Sequence, residues 1–439
     1  MIVMKFGGSS VADASRVRHV EGIVRQHLEQ KPVVVLSATG DTTDHLLECG
    51  SLALKGKVDC DRVISNHQKI AQDLGIVIPD FDTLATELRD LLRGISLLKE
   101  LSPRTKDYLV SFGERISVRL FAAYLKKQDL AAQAFDAWDV GFLSDSRFGN
   151  GEILPEAFAA IEGRLGTLRN NYSFTPVVTG FIAKDRSGNI TTLGRGGSDL
   201  TACALGAALQ AKEVQVWKDV DGILTTNPNY VPAARPVPVL SFEEASELAY
   251  FGANVLHPRA LIPAMQRGVP VRVKNSYNVP HPGTVISNQG AEGLAKAITC
   301  KRNLTLVDVV SLRMLGQPGF LSKLFAVFEK HELSVDMVAT SEVSVSLTLD
   351  EGGALDGLRE SLEEFSRVSI SSGKASVNII ADVRQATEVL ESALDVFRAE
   401  KVNVQMLSHG ASKVQFGFIV NDSEAQKCVA ALHARFFES

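Results

Sequence analysis

Two stretches beyond Cys300 repeat each other in order and in register, and this constrains the fold more than any single motif does. Phe325-Ala326-Val327-Phe328 is echoed by Leu394-Asp395-Val396-Phe397, and Ser334-Val335-Asp336-Met337 by Asn403-Val404-Gln405-Met406. Around the first copy, periodicity predicts a strand at 304–312 and a helix at 320–331. Strands follow at 335–339 and 343–349, then a helix at 355–365 and a strand at 367–371. A second unit starting near Ala375 repeats the order strand, helix, strand, strand, helix. A tandem repeat of this length predicts paired, small ferredoxin-like βαββαβ modules.

Up to about Gly290 the rhythm is different. Short β-rich runs at 33–36, 177–179, 214–217 and 269–273 alternate with helical patterns at 109–126, 200–211 and 242–250. Such alternation predicts an α/β domain around a largely parallel sheet sandwiched by helices. The segment 281–292, with Pro282, Gly283 and Gly290, reads as the exit from that domain.

At 439 residues the chain is too long for one ordinary core. A net charge of −5 argues against a dedicated nucleic-acid binder, which needs a basic face. No apolar run approaches the roughly 20 residues that span a membrane. Met1 leads straight into the first apolar run, so no signal or transit segment is expected. Five scattered cysteines without metal-ligand spacing read as reduced thiols of a cytoplasmic protein.

Three constellations carry chemistry. Lys5-Phe6-Gly7-Gly8-Ser9-Ser10 follows an apolar run and precedes an amphipathic helix pattern beginning near Asp13. Glycines let backbone N–H groups approach an anion, and Lys5 adds a full positive charge. The second constellation, Gly194-Arg195-Gly196-Gly197-Ser198-Asp199, enters an Ala-rich helix. Ser198 is expected as its N-cap, and the Arg195 guanidinium is a planar fork for carboxylate or phosphate. Asp199 fits either a dipole-favoured first turn or a carboxylate that positions Lys5 or a metal, and the residues leave both open. The third, Lys218-Asp219-Val220-Asp221-Gly222, follows a buried strand, the usual ligand-binding edge of an α/β sheet. Two smaller signals add to these. Glu114 follows Gly113 inside a helix pattern, where glycine costs about 1 kcal/mol and implies a close approach. Residues 37–44 form a hydroxyl-rich loop after a buried strand.

These motifs, with Phe251-Gly252-Ala253-Asn254-Val255-Leu256-His257-Pro258 and Thr340-Ser341-Glu342-Val343-Ser344, occur in the order found in aspartokinases. Over essentially its whole length the chain resembles the lysine-sensitive, monofunctional members of that family. The resemblance implies an amino-acid kinase domain at 1–297 followed by two ACT domains at 298–373 and 374–439. It implies that Lys5, Gly7, Gly8 and Ser9 hold ATP phosphates, with Asp199 organising Lys5. Lys218, Asp219, Leu224, Asn229, Asn254 and Val255 are implied to bind the nucleotide. Thr43, Glu114, Phe181, Arg195, Gly196, Gly197 and Ser198 are implied to hold L-aspartate, with Arg195 on a carboxylate and Glu114 on the ammonium. No protein metal ligand is implied; Mg²⁺ is expected to arrive bound through ATP. Asn227, Asn229 and Asn254 stand where many members carry Asp, Arg and Lys, so three charged nucleotide contacts are altered.

The resemblance also implies that free lysine binds the first repeat between subunits of a homodimer or homotetramer. The implied pocket comprises Met314, Gly319, Phe320, Leu321, Ser334, Val335, Asp336, Thr340 and Ser341. Asp336 suits a cationic amine, whereas its counterpart in the second repeat, Gln405, offers no charge. The second repeat is therefore expected to pair and pack the modules. Three rival readings are weaker. A kinase for another amino acid conflicts with the Thr43, Glu114 and Arg195 set. A non-catalytic amino-acid sensor conflicts with intact Lys5 and Asp199. A dinucleotide oxidoreductase lacks the third glycine of its fingerprint.

Overall fold

The computed structural model describes residues 1–251, 255–290, 293–311, 318–350, 355–381, 383–409 and 414–438. The chain forms two compact units. One comprises Met1–Ile223, Pro238–Phe242 and Leu256–Gly290, and the other Leu224–Val237, Glu243–Val255 and Ala291–Ser439. Asn254 and Met314 lie outside the described residues.

The first unit is built on strands β1 (Ile2–Phe6), β2 (Pro32–Leu36), β3 (Ala132–Phe135) and β4 (Thr175–Thr179). A hairpin follows, β5 (Ile182–Lys184) with β6 (Ile190–Thr192), and then β7 (Val214–Lys218), β8 (Val239–Ser241), β9 (Val271–Asn275) and β10 (Thr284–Ser287). The main sheet has the order β3-β4-β2-β1-β7-β9-β10-β8, and its one antiparallel pairing is β9 with β10. Every residue of β1, β2 and β4 is buried. That is why their sequences are apolar-rich and not strictly alternating: helices cover both faces of a parallel sheet.

The helices of this region are α1 (Ala14–Gln26), α2 (Thr42–Leu54), α3 (Asp61–Leu74), α4 (Phe81–Leu98) and α5 (Pro103–Lys127). They continue with α6 (Pro155–Leu165), α7 (Gly197–Ala208), α8 (Phe242–Tyr250) and α9 (Pro258–Arg267). Beyond Phe242, α8 belongs to the second unit. Ser102 caps α5 by accepting from the Thr105 N–H, and Pro103 takes the first helical position, where its missing donor costs nothing. Gly113 is tolerated within α5 because a Cβ there would lie 2.7 Å from the Ala38 Cβ, so helix and loop meet at that residue. Among the described residues no helix is long and apolar enough to cross a membrane.

The helix expected near Asp13 forms as α1: a short 3-10 turn, Gly8–Val11, precedes it, and Asp13 caps it by accepting from the Arg16 N–H. One local expectation is corrected: Ser198 is not the N-cap of α7. That position is Gly196, at φ +69°, a conformation that favours glycine, and Ser198 lies inside the first turn.

The second unit carries one six-stranded sheet ordered β12-β13-β11-β14-β16-β15. Its strands are β11 (Ala295–Val310), β12 (Val335–Thr340), β13 (Ser344–Asp350), β14 (Arg367–Ala381), β15 (Met406–Ser408) and β16 (Gln415–Asn421). The helices are α10 (Phe320–Lys330), α11 (Leu355–Glu363), α12 (Ala386–Ala399) and α13 (Asp422–His433). Both long strands run through both repeats: β11 pairs with β14 from Ala295↔Ala381 to Val310↔Arg367, with register shifts near Lys301 and Leu304. The strands expected at 367–371 and from Ala375 are thus one element. Residues 295–301 complete the sheet of the second repeat although they precede the first. The repeated phenylalanines explain the echo in sequence, since Phe328 anchors one apolar core with Leu324, Val345 and Leu347, while Phe397 anchors another with Val377, Phe416 and Phe418.

Candidate active site

Strand register gathers the sequence motifs of the first unit. Phe6 pairs with Leu36 on one side and Trp217 on the other, and Leu36 pairs with Thr179. The strands therefore end together. Gly7-Gly8, Ser37-Ala38, Gly180-Phe181 and Lys218-Asp219 emerge side by side at the carboxyl edge of a parallel sheet, where ligands of open α/β folds bind.

At that edge two ammonium groups converge on one carboxylate. Lys5 Nζ lies 2.5 Å from Asp199 Oδ1, and Lys218 Nζ lies 3.6 Å from Oδ2. The Lys5 contact is an ion pair whose geometry falls short of a well-aligned hydrogen bond. Burial alone would raise the Asp199 pKa, but the two lysines outweigh it and hold the carboxyl below its usual range. Burial pulls Lys218 the other way, and its pKa is lowered despite Asp199. Lys5 and Asp199 are both buried, so each ion is held in low dielectric by the other, and breaking the pair would strand a charge. Sequence reasoning placed Lys218 on the nucleotide alone. Its pairing with Asp199 depends on β1 and β7 being sheet neighbours, which no local signal encodes.

Backbone geometry shapes the space around this cluster. A Cβ on Gly8 would meet the Ala38 carbonyl oxygen at 2.6 Å, and the Gly40 N–H donates to the Gly8 carbonyl. Gly8 thus serves first to let two loops touch. The Ser9 carbonyl accepts from Arg16 while its own position is exposed. Phe181 sits at φ +68°, unusual for a bulky side chain, with its N–H donating to Thr201 Oγ1. Gly180 and Gly197 pack against Ser198 and Phe181 respectively, at distances that leave no room for a Cβ. Ser198 Oγ accepts from Ser37 Oγ at 3.0 Å, joining the Gly-rich turn to the hydroxyl-rich loop.

Glu114 is the other unusual group. It is fully buried in α5; Oε1 accepts from the Ala38 N–H at 3.1 Å, while Oε2 has no partner among the described residues. Burial pushes its pKa up to about 8. A buried carboxyl with an open oxygen is an acceptor waiting for a donor, best a cationic one. Arg195 is exposed and, among the described residues, has no ion-pair partner, and Thr43 is half-buried in the first turn of α2.

Two residues to which the sequence assigned no role, one of them in the motif ending at Pro258, support the same edge. Asp107 accepts from the N–H groups of Gly149 and Thr192 and from the Thr192 hydroxyl, anchoring the strand that leads into the Gly-rich turn. His257 caps α9, and a Cβ on Gly196 would lie 2.6 Å from its Cβ. Burial and then the charges of Arg195 and Arg259 lower the His257 pKa, so the ring is neutral at neutral pH.

The remaining sequence-derived positions belong to the second unit. Leu224 bridges to Pro236, Asn229 is exposed with its N–H on the Asn227 side chain, and Val255 lies in a turn. Gly319, at φ +93°, caps α10, and Phe320 and Leu321 form its first turn. Ser334 precedes β12 and Val335 begins it. Thr340 ends it, and Ser341 closes the hairpin by accepting from the Val343 and Ser344 N–H groups. No cluster of three or more His, Cys, Asp or Glu that could hold a metal occurs among the described residues.

The sequence profile of the amino acid kinase family matches residues 1–275, and that of the ACT domain matches residues 307–365 and 377–436. The chain belongs to the amino acid kinase family. Within it, this aspartokinase-type member is 47% identical over 456 residues to Aspartokinase 1, chloroplastic, of Arabidopsis thaliana, covering all of this chain and 80% of the relative. It is 37% identical to Lysine-sensitive aspartokinase 3 of Escherichia coli K12, covering all of this chain and 99% of the relative. Among solved structures it resembles E. coli aspartokinase III in complex with aspartate and ADP, with a TM-score of 0.80 at 34% identity and full coverage of both chains. The complex of that enzyme with lysine and aspartate gives a TM-score of 0.76, covering all of this chain and 99% of the other.

Proposed function

We propose that this family member is an aspartate kinase: it transfers the γ-phosphoryl group of ATP to the β-carboxylate of L-aspartate, giving 4-phospho-L-aspartate and ADP. The observation that carries this reading is the convergence of Lys5 and Lys218 on buried Asp199 at a glycine-lined sheet edge. An aspartate β-carboxylate is ionised at neutral pH, so no general base is needed. Its oxygen attacks the γ-phosphorus, the bond from that phosphorus to the β–γ bridging oxygen breaks, and the electron pair leaves with ADP. Lys5, held by Asp199, supports the charge on the transferring group, and the Gly7-Gly8 backbone lies against the phosphates. Arg195 forks onto a substrate carboxylate, and Glu114 takes the α-ammonium, with Thr43, Phe181, Gly196, Gly197 and Ser198 shaping the pocket.

Asp199, the buried acid here, faces ammonium groups with both oxygens, so this donor set fits Mg²⁺ that arrives on the ATP phosphates and not in a protein cage. Bound in that way, Mg²⁺ neutralises phosphate charge. The nucleotide is read further by Asp219, Leu224, Asn229, Asn254 and Val255. Residues 1–297 act as the kinase domain and 298–373 as the effector-binding ACT domain. Residues 374–439 pair and pack the modules in a homodimer or homotetramer of the cytoplasm. Lysine acts as feedback inhibitor through Asp336 and the pocket around it; the lysine-bound E. coli relative supports this reading.

ATP-dependent hydroxamate formation, assayed across candidate amino acids, tests the reaction. Aspartate is expected to be the preferred acceptor by a wide margin, and preference for glutamate would overturn the assignment. Titration with lysine tests the control: Asp336→Ala should lose inhibition that the unmodified protein shows.

A further inference from the structure

The carboxylate proposed to receive the effector is already occupied. Asp336 Oδ2 lies 2.5 Å from Lys301 Nζ, and Oδ1 accepts from the Tyr250 hydroxyl at 2.7 Å. With only 5% of its side chain exposed, Asp336 has no room for a third strong partner. Both partners of the ion pair sit at irregularities in the strand register. The register shifts between Val335 and Met337 on β12, and between Lys301 and Leu304 on β11. Lys301 also has a second partner, Asp350 Oδ1 at 2.8 Å, whose side chain is 71% exposed. Burial would lower the Lys301 pKa, but these two carboxylates raise it, so the ammonium is charged.

We infer that the Lys301 ammonium is the built-in occupant of the subsite for the effector's cationic amine, and that free lysine binds by displacing it from Asp336. This rests on the reading that Asp336 receives the effector. The exchange keeps charges matched throughout. Asp336 swaps one primary ammonium for another, and Lys301 retreats onto Asp350, which is already within reach and open to water. Because the Tyr250 hydroxyl bonds to the same carboxylate, the swap is felt at the end of α8. Tyr250 is followed by Phe251, buried with Leu304, Leu306 and Met337, and then by the proposed nucleotide residues Asn254 and Val255. An internal ligand of this kind lowers the apparent affinity of the free one by the fraction of molecules it occupies.

The test is calorimetric titration of the full-length protein with L-lysine, alongside inhibition curves, for the unmodified chain and two variants. Lys301→Met keeps the stem but removes the competing charge, and it should tighten lysine binding by about tenfold or more. Asp350→Asn, at an exposed site safe for folding, removes the retreat partner and should weaken binding by about threefold or more. Weaker or unchanged lysine affinity in Lys301→Met, or unchanged affinity in Asp350→Asn, overturns the inference while leaving lysine control standing. If Lys301→Met does not fold, the sign of the Asp350→Asn change decides. Absence of lysine binding to the unmodified protein would remove both this inference and the reading beneath it.

Discussion

Asp199 lies 2.5 Å from Lys5 on one oxygen and faces Lys218 at 3.6 Å with the other, although the three residues come from separate segments of the chain. A single buried carboxylate therefore fixes two cations at the end of two adjacent parallel strands. Replacing Asp199 with Asn keeps the size and removes the charge. The variant should lose about 100-fold or more in kcat, with KM for aspartate little changed, as expected when a group acting on the transition state is mispositioned. Steady-state kinetics in both substrates check this, and a loss confined to KM for aspartate would place Asp199 with the acceptor.

Glu114 makes a pH signature. Its folded-state pKa, pushed up by burial, is about 8 against a model-peptide value of 4.5. The folded state therefore holds a proton that the unfolded chain releases first. The resulting stabilisation is complete below the unfolded value and is lost as pH rises through the folded one. Raising the pH from about 5 to about 9 should lower the Tm of the unmodified protein more than that of Glu114→Gln, which keeps an acceptor for Ala38 but cannot ionise. Parallel pH dependence in the two proteins would show that Glu114 is ionised throughout.

The same group predicts proton release on substrate binding. If the aspartate ammonium docks on the open oxygen of Glu114, binding at pH 7 should expel up to about one proton. Calorimetry in buffers of different ionisation enthalpy measures that number directly, and Glu114→Gln should abolish it together with most aspartate affinity.

Arg195 should discriminate the acceptor by geometry and not by charge alone. Arg195→Lys retains the positive charge but loses the two-pronged fork, so KM for aspartate should rise several-fold more than KM for ATP. Equal rises in both constants would move Arg195 to the nucleotide side.

Gly8 is a packing requirement. Gly8→Ala places a Cβ 2.6 Å from the Ala38 carbonyl oxygen, so the two loops must separate. A loss of about 1–3 kcal/mol in stability is expected, with reduced ATP affinity, because the cradle is displaced along with the loop. Thermal melting and ATP titration read the two effects separately. Normal stability with normal ATP binding would mean that the loops are free to move apart.

The sequence alone determined whatever depends on local order. Apolar-rich runs marked β1, β2, β4 and β7 because strands covered on both faces need not alternate. The echo of Phe328 by Phe397 marked the two modules because each must fill its own core with the same side chain at the same place. Glycine and charge composition marked the turns around Lys5, Arg195 and Lys218. Tertiary structure decided whatever depends on which segments meet. The convergence of Lys5, Lys218 and Asp199 follows from β7 pairing beside β1, and the open oxygen of Glu114 follows from α5 packing on the Ala38 loop. The passage of β11 and β14 through both repeats, and the grip of Lys301 and Tyr250 on Asp336, follow from sheet register. Composition and periodicity report the energy of each segment against water. The contacts between distant segments are chosen only when those segments compete to bury the same surface, and only the folded chain records the outcome.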